Sequence, residues 1–316
     1  MRRRTFLAAM GAAAIAGGGL AAYDFRNTLS VARARLAGRA RVIETRAGAM
    51  EYAEAGEGPP VLMLHGTGGG FDQGLAFVKR LSDNGWRVIA PSRFGYLGSS
   101  FPEDASSEAQ ADALVDLLDH LGIDRVPVAG GSAGALPAIA FAIRHPDRCA
   151  ALIALVPATY VPGRPPAELT AMQTAIIGYA LRSDLLFWAG TVLAEDTMIR
   201  TLLATDPALV HAATAAEQAR VRSILTEILP VSDRAKGLLQ DGRLAGNPPP
   251  MDLGRIAAPT LAISLEDDLF GTFQAARHIA AQVPGATLVT YSTGGHVWVG
   301  HDEEVMGEID GFLRGV

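Results

Sequence analysis

From Val42 onward, short apolar runs alternate with longer stretches in which apolar positions recur every three or four residues. The runs "PVLMLHG" (60–66), "WRVIAPS" (86–92), "VPVAGG" (126–131) and "CAALIALVP" (149–157) are apolar nearly throughout, as strands buried on both faces of a parallel sheet are. Ahead of them, "VIETRAGAMEYAEAG" (42–56) reads as an antiparallel hairpin turned at Ala47 to Ala49. Helical periodicity predicts helices over Gln73–Asn84, Ser107–Leu121, with apolar positions at 114, 117, 118 and 121, and Gly134–His145. The alternation resumes late, with "TLAISLEDD" (260–268), a helix over Thr272–Gln282, "ATLVTYS" (286–292) and a helix over Asp302–Leu313. Strand–helix alternation with right-handed crossovers implies an α/β fold, a mostly parallel central sheet with helices on both faces.

Two regions break the pattern. Between Ala158 and Pro250 no strand is apparent; the segment is mostly helical, bracketed by "VPGRPP" and "NPPP", and reads as a helical insertion between sheet strands. At the start, Arg2–Arg4 precede a run without charge up to Asp24, the layout of a targeting segment expected to stay out of the core. Its "RRTFL" resembles a twin-arginine export motif, which implies a periplasmic or extracellular location. The alternative is an uncleaved membrane anchor, the one route to membrane association that the sequence offers. The basic stretch Arg33–Arg41 reads as a solvated connector. The expected organisation is therefore a signal or anchor with connector over 1–41, a core over 42–157 and 251–316, and an insertion over 158–250.

Composition narrows the function classes. An apolar fraction of 49% with 19% charged residues is that of a well-buried globular protein. A net charge of -6 with scattered basic residues argues against nucleic acid as a partner. Cys149 is the single cysteine, which excludes an internal disulfide, and its apolar surroundings make it a buried small residue. No histidine pair sits at i, i+4, the single cysteine excludes a thiolate cluster and no dinucleotide or phosphate-loop motif is complete, so neither a metal nor a cofactor is expected.

The chemistry begins at "GGSAG", where a strand stops and a helix starts. In a parallel sheet, ligands gather outside the carboxyl ends of strands, and Ser132 stands at such an end. Flanking glycines suit a tight turn that exposes the serine hydroxyl, so Ser132 is the candidate nucleophile. It needs a base and an orienting carboxylate. His296, in the loop after "ATLVTYS", is the candidate base, with His301 as runner-up. The acid is expected from "ISLEDDLF", where Asp267 and Asp268 are both candidates and Glu266 a third. The glycine-rich turn "HGTGGG" offers backbone N–H groups for a developing oxyanion, from Thr67 or Gly68, with Ala133 supplying the second. His65 in that turn reads as structural.

In this order, "HGTGGG", "PSRFGYLGSS", "GGSAG", "LEDD" and "GGH" resemble the α/β-hydrolase family from about Val42 to the C-terminus. The resemblance implies that 158–250 is a helical cap and that the acid is Asp268 rather than Asp267. Leu265, Ser92 and Leu97 depart from the family pattern, the last two in a loop that bears on packing and substrate shape. A serine at the elbow argues against the carboxylate-nucleophile chemistry of epoxide opening and dehalogenation. The leading expectation is hydrolysis of a small to medium apolar or aromatic carboxylic ester through an acyl-enzyme. The alternatives are a carbon–carbon bond hydrolase of ring-cleavage products, which the "HGTGGGFDQG" loop also resembles, and a slow-turnover ligand-binding protein. The partner in each case is a small ester-like or related molecule. In the insertion, Met172, Ile176, Tyr179, Leu186, Phe187 and Trp188 are candidates to line the pocket.

Overall fold

The computed structural model describes residues 2–165 and 178–316, with side chains from Gly18 onward. Its centre is an eight-stranded sheet in the order β1-β2-β4-β3-β5-β6-β7-β8. The strands are β1 (Arg41–Thr45), β2 (Gly48–Ala55), β3 (Pro60–Leu64), β4 (Arg87–Pro91), β5 (Val126–Gly131), β6 (Cys149–Leu155), β7 (Thr260–Leu265) and β8 (Thr287–Tyr291). Only β2 runs antiparallel to its two neighbours; all pairs from β4 to β8 are parallel. The first hairpin turns at Arg46-Ala47, with Thr45 paired to Gly48, slightly ahead of the expected Ala47–Ala49. Gly48 takes a φ of 96°, which lets the chain re-enter the sheet immediately after a two-residue turn.

Helices α2 (Phe71–Phe77), α3 (Lys79–Asp83), α4 (Ser107–Leu121) and α5 (Ala135–Arg144) alternate with the strands, and α11 (Thr272–Gln282) and α12 (Asp302–Arg314) complete the core. The expected helix over 73–84 is two, because the chain leaves helical geometry at Val78. Ser106 caps α4 by accepting from the Ala109 N–H, and Gly122 ends it in the left-handed conformation. Leu114, Leu117 and Leu118 of α4 join α5 in one apolar cluster on the sheet, while α2, α3 and α12 cover the other face. Cys149 is buried in the first cluster, and burial pushes its thiol up to about 12. It is chemically inert there.

Between β6 and β7 lie α6 (Asp184–Leu193), α7 (Glu195–Leu202), α8 (Pro207–Ala212), α9 (Ala215–Thr226) and α10 (Ala235–Gly246). They form a third cluster of their own around Phe187, Ile199, Val221 and Leu225. The first helix, α1, runs continuously from Arg2 to Leu36. Among the described residues, no helix is long and apolar enough to cross a membrane. The carboxyl-terminal part of α1 does not stand apart as a connector: Ala32 is buried in the inserted helices' cluster, and Phe25 packs on Trp188 with ring centroids 5.6 Å apart. Arg35, expected to be solvated, bonds instead to the Asp72 carboxylate and to the carbonyls of Glu227 and Leu229.

Asp72, in the first turn of α2, is where the three layers meet. Its carboxylate also receives both Nη groups of Arg234, at 3.1 and 2.8 Å, and the Arg234 side chain is fully buried. Burial alone would raise the Asp72 pKa, but the charges and hydrogen bonds of Arg234 and Arg35 outweigh it and hold the carboxyl down to about 2. Replacing it should therefore destabilise the fold in a pH-dependent way. A carboxyl whose pKa is depressed on folding contributes stability that is complete above its unfolded value of about 3.9. That contribution is lost as pH falls through its folded value of about 2. Asp72→Asn is expected to cost about 2 kcal/mol or more at neutral pH. Denaturant titrations of the two proteins should converge as pH drops below about 4. A gap that persists unchanged to low pH would show that the charge of Asp72 is not what joins the layers.

Candidate active site

β5 ends at Gly131, and Ser132 opens a short 3-10 turn that leads into α5. Ser132 has a φ of 51°, a strained value for a residue with a side chain. What forces it there is the approach of neighbouring backbone. A Cβ on Gly130 would fall against the Gly134 carbonyl and 2.7 Å from the Ala135 Cα, and one on Gly134 would lie 2.5 Å from the His65 carbonyl oxygen. Only glycine fits at both positions, so β5, the turn and β3 can close on one another and lift Ser132 out of the sheet.

Two loops from β7 and β8 come to the same end of the sheet. His296 Nδ1 lies 2.7 Å from Asp268 Oδ2, with both side chains buried. Asp268 also accepts from the Phe270 N–H at 2.8 Å and from the Thr272 hydroxyl. Burial works to raise its pKa, yet the neighbouring His296 and these hydrogen bonds hold it below the ordinary carboxylate value. A carboxylate on Nδ1 fixes the ring with Nε2 as its free nitrogen. Asp267 does something else: it accepts from the Thr293 hydroxyl and from the N–H groups of Gly294 and Gly295, at 2.7 to 3.1 Å, and so shapes the loop that carries His296. His301 pairs with Glu304 and Glu266 binds Tyr291 through its backbone, so neither runner-up meets the serine.

Ser132 and His296 line one small cavity. Gly66, Thr67 and Gln73 supply its polar wall; Phe77, Val156, Phe270, Val297 and Trp298 supply apolar wall from the core. Of the two glycine-loop donors expected from sequence, Thr67 reaches the cavity. Gly68 does not, because its N–H is donated to the Tyr96 hydroxyl at 3.2 Å. Ala133 follows the serine at the start of the helical turn, where N–H groups have no intrahelical partner. From the inserted helices the cavity takes Leu202, Leu203, Ile224 and Ile228. That corrects the expected lining. Tyr179 and Leu186 are exposed, Phe187 is buried in the insertion's own cluster and Trp188 packs on α1; Met172 and Ile176 lie outside the described residues. Phe77, Ile224 and Trp298 also border a wider groove in which Lys79, Arg80 and Arg220 are interspersed with Asp83, Glu227 and Asp302.

Several supporting residues gave no signal in the sequence. Thr205, fully buried in the insertion, accepts the His296 N–H at 3.0 Å, and the adjacent Ala204 carbonyl accepts the Leu269 N–H at 3.0 Å. One link of the insertion thus steadies both the histidine and the acid loops. Beneath the glycine-rich turn, Arg93 donates to the His65 carbonyl at 2.9 Å and pairs with buried Asp241 at 2.8 Å, and Asp241 also takes the Tyr96 hydroxyl at 2.6 Å. His65 spends both ring nitrogens structurally, on the Gly66 carbonyl at 2.7 Å and the Arg93 N–H at 2.9 Å. Burial, with the Arg93 charge beside it, keeps this imidazole neutral well below the usual histidine range. Among the described residues, no three His, Cys, Asp or Glu side chains converge as a metal site would require.

Comparison with known proteins agrees with this geometry. A family model described as alpha/beta hydrolase fold matches residues 59–299. The chain is 30% identical, over 258 residues, to a 2-hydroxy-6-oxononadienedioate/2-hydroxy-6-oxononatrienedioate hydrolase of Paraburkholderia xenovorans, covering 78% of this chain and 84% of that one. Among solved structures, an alpha/beta hydrolase fold protein from Nakamurella multipartita matches with a TM-score of 0.68 and 28% identity, over 87% of this chain and 99% of its own. A thermophilic esterase from Thermogutta terrifontis shares the fold at a TM-score of 0.68 and 24% identity, over 88% and 99% of the two chains. With a strand-to-helix serine, a buried Asp–His pair and a glycine-rich turn at one end of a mostly parallel sheet, the chain belongs to the α/β-hydrolase fold family and is a hydrolase.

Proposed function

We propose that the protein hydrolyses the carbon–carbon bond beside a ketone in a product of the 2-hydroxy-6-oxo-dienoate class. The observation that carries this choice of bond is the 30% identity, over 84% of its length, to a relative named for such substrates. In this reading Ser132 is the nucleophile, His296 the base, Asp268 the group that orients the base, and the N–H groups of Thr67 and Ala133 the oxyanion donors.

Each role follows from what the bond demands. Ser132 Oγ adds to the ketone carbon as His296 Nε2 takes its proton, and the charge that appears on oxygen falls to backbone N–H groups. A ketone has no oxygen leaving group, so the departing electron pair must rest on carbon. The dienoate accepts it as a delocalised enolate once its 2-hydroxy group has tautomerised to the keto form. Tautomerisation has already moved the hydroxyl proton to that carbon, so His296 returns its proton to the enolate oxygen and restores the 2-hydroxy group, and the acyl-serine is released by water that the same histidine deprotonates. Overall one water is consumed: hydrogen ends on the dienoate fragment and hydroxyl on the acid. The apolar wall suits the non-polar part of such a substrate.

Ester hydrolysis is the second reading, favoured by one observation: among the described residues, no cationic side chain lines the cavity itself. An ester needs none, whereas a dienoate carries a negative charge. Measuring kcat/KM for 2-hydroxy-6-oxo-6-phenylhexa-2,4-dienoate against a series of p-nitrophenyl esters separates the two. The first reading predicts that the dienoate is preferred by about tenfold or more. Sustained turnover of esters alone would move the assignment to an esterase, and a burst without turnover of either substrate would make the protein a ligand-binding member of the family.

The two adjacent aspartates provide a further test. Asp268→Asn is expected to lower kcat on the order of 10⁴-fold by favouring the wrong imidazole tautomer. Asp267→Asn leaves the ring partner in place and should cost about tenfold or less in kcat while lowering the melting temperature, since it loosens the Thr293–Gly295 backbone. Equal losses in kcat would contradict these separate roles.

A further inference from the structure

α1 leaves most of its described side chains in solvent, and Ala32 is the one buried residue among them, yet Arg35 reaches into the body of the protein. The guanidinium makes three directed contacts. Nη1 pairs with the Asp72 carboxylate, while Nη2 donates to the Glu227 carbonyl at 2.8 Å and the Leu229 carbonyl at 3.1 Å. Those two carbonyls flank Ile228, whose side chain lines the cavity and covers Gly68, where a Cβ would lie 3.3 Å from Ile228 Cδ1. On the other side, Asp72 is bound to Arg234, which also donates to the Gly69 carbonyl. One side chain therefore grips the segment that roofs the cavity and, through Asp72, the turn that carries Thr67.

We propose that Arg35 is a positioning residue, by which the first helix clamps the Glu227–Leu229 segment to the Gly66–Gly70 turn and so fixes Thr67 relative to Ser132. This inference rests on the reading of Thr67 as an oxyanion donor. The planar fork of arginine holds two separated nitrogens in fixed directions, one toward the acid and one toward the two carbonyls, whereas a lysine ammonium offers its three donors from a single point. Loss of Arg35 does not strand a buried charge, because Asp72 keeps Arg234. Its removal should therefore affect rate more than stability, the opposite of what a purely structural ion pair would do.

The full-length protein, its Arg35→Met and Arg35→Lys variants and Asp72→Asn are compared in steady-state kinetics on a p-nitrophenyl ester or the dienoate, together with thermal unfolding. Arg35→Met is expected to lower kcat by about tenfold to a hundredfold with KM within about threefold, to unfold at a higher temperature than Asp72→Asn, and to be partly rescued by Arg35→Lys. A kcat equal to that of the wild type, or a loss that appears in KM alone, overturns the proposal. If the wild-type protein turns over neither substrate, the proposed substrate assignment fails separately. Backbone amide exchange then tests the clamp, with faster exchange expected in Gly66–Gly70 and Glu227–Leu229 together in Arg35→Met. Exchange that changes only within α1 overturns it.

Discussion

At the end of β5 there is no room for a side chain two residues to either side of the serine. Gly130 and Gly134 meet carbonyl groups of the turn and of β3 so closely that a Cβ at either place would overlap them, and Ser132 absorbs the bend with a φ of 51°. The strain is local, and the surrounding sheet holds it. Val156 and Trp298, which also line the cavity, and Ala204 beside it share positive φ values of 41° to 45°. Strain that clusters at one cavity is a sign of a site held against its own preference. The Asp268–His296 pair, the glycine-rich turn and the inserted helices are all arranged around the point that the two glycines create.

Buried charge holds those parts to one another. Asp241, from α10, ties Arg93 and Tyr96 beneath the glycine-rich turn, and Tyr96 in turn occupies the Gly68 N–H. Asp72, from the core, ties Arg234 of the insertion and Arg35 of the first helix. Each carboxylate is matched by guanidinium groups and further hydrogen bonds, the condition under which buried ions are tolerated. Between them they leave the turn little freedom, as the proposed oxyanion role of its N–H groups requires.

Much of this was legible in the sequence because it follows from short-range rules. Strands buried on both faces read as apolar runs, and the elbow, acid and histidine loops lie at strand ends where chain order alone locates them. What was hidden depends on pairings between distant residues. Helical periodicity cannot say which face of an inserted helix meets the core, so Phe187 and Trp188 were plausible pocket residues, whereas Leu202, Leu203, Ile224 and Ile228 form the wall. Thr67 and Gly68 were equivalent until Tyr96, 28 residues away, took one N–H. Arg35 looked like a connector residue because nothing local to it indicates that Asp72 and two carbonyls from residues 227 and 229 surround it.

The central claim is that Ser132 forms a covalent acyl adduct. Its most direct measurement is intact-mass and peptide mass spectrometry of the protein after reaction with a fluorophosphonate and, separately, after rapid quenching from an activated ester. The account predicts one adduct per chain on the peptide containing Ser132, absent from a folded Ser132→Ala variant. An adduct on another residue, or undiminished labelling of Ser132→Ala, would contradict it.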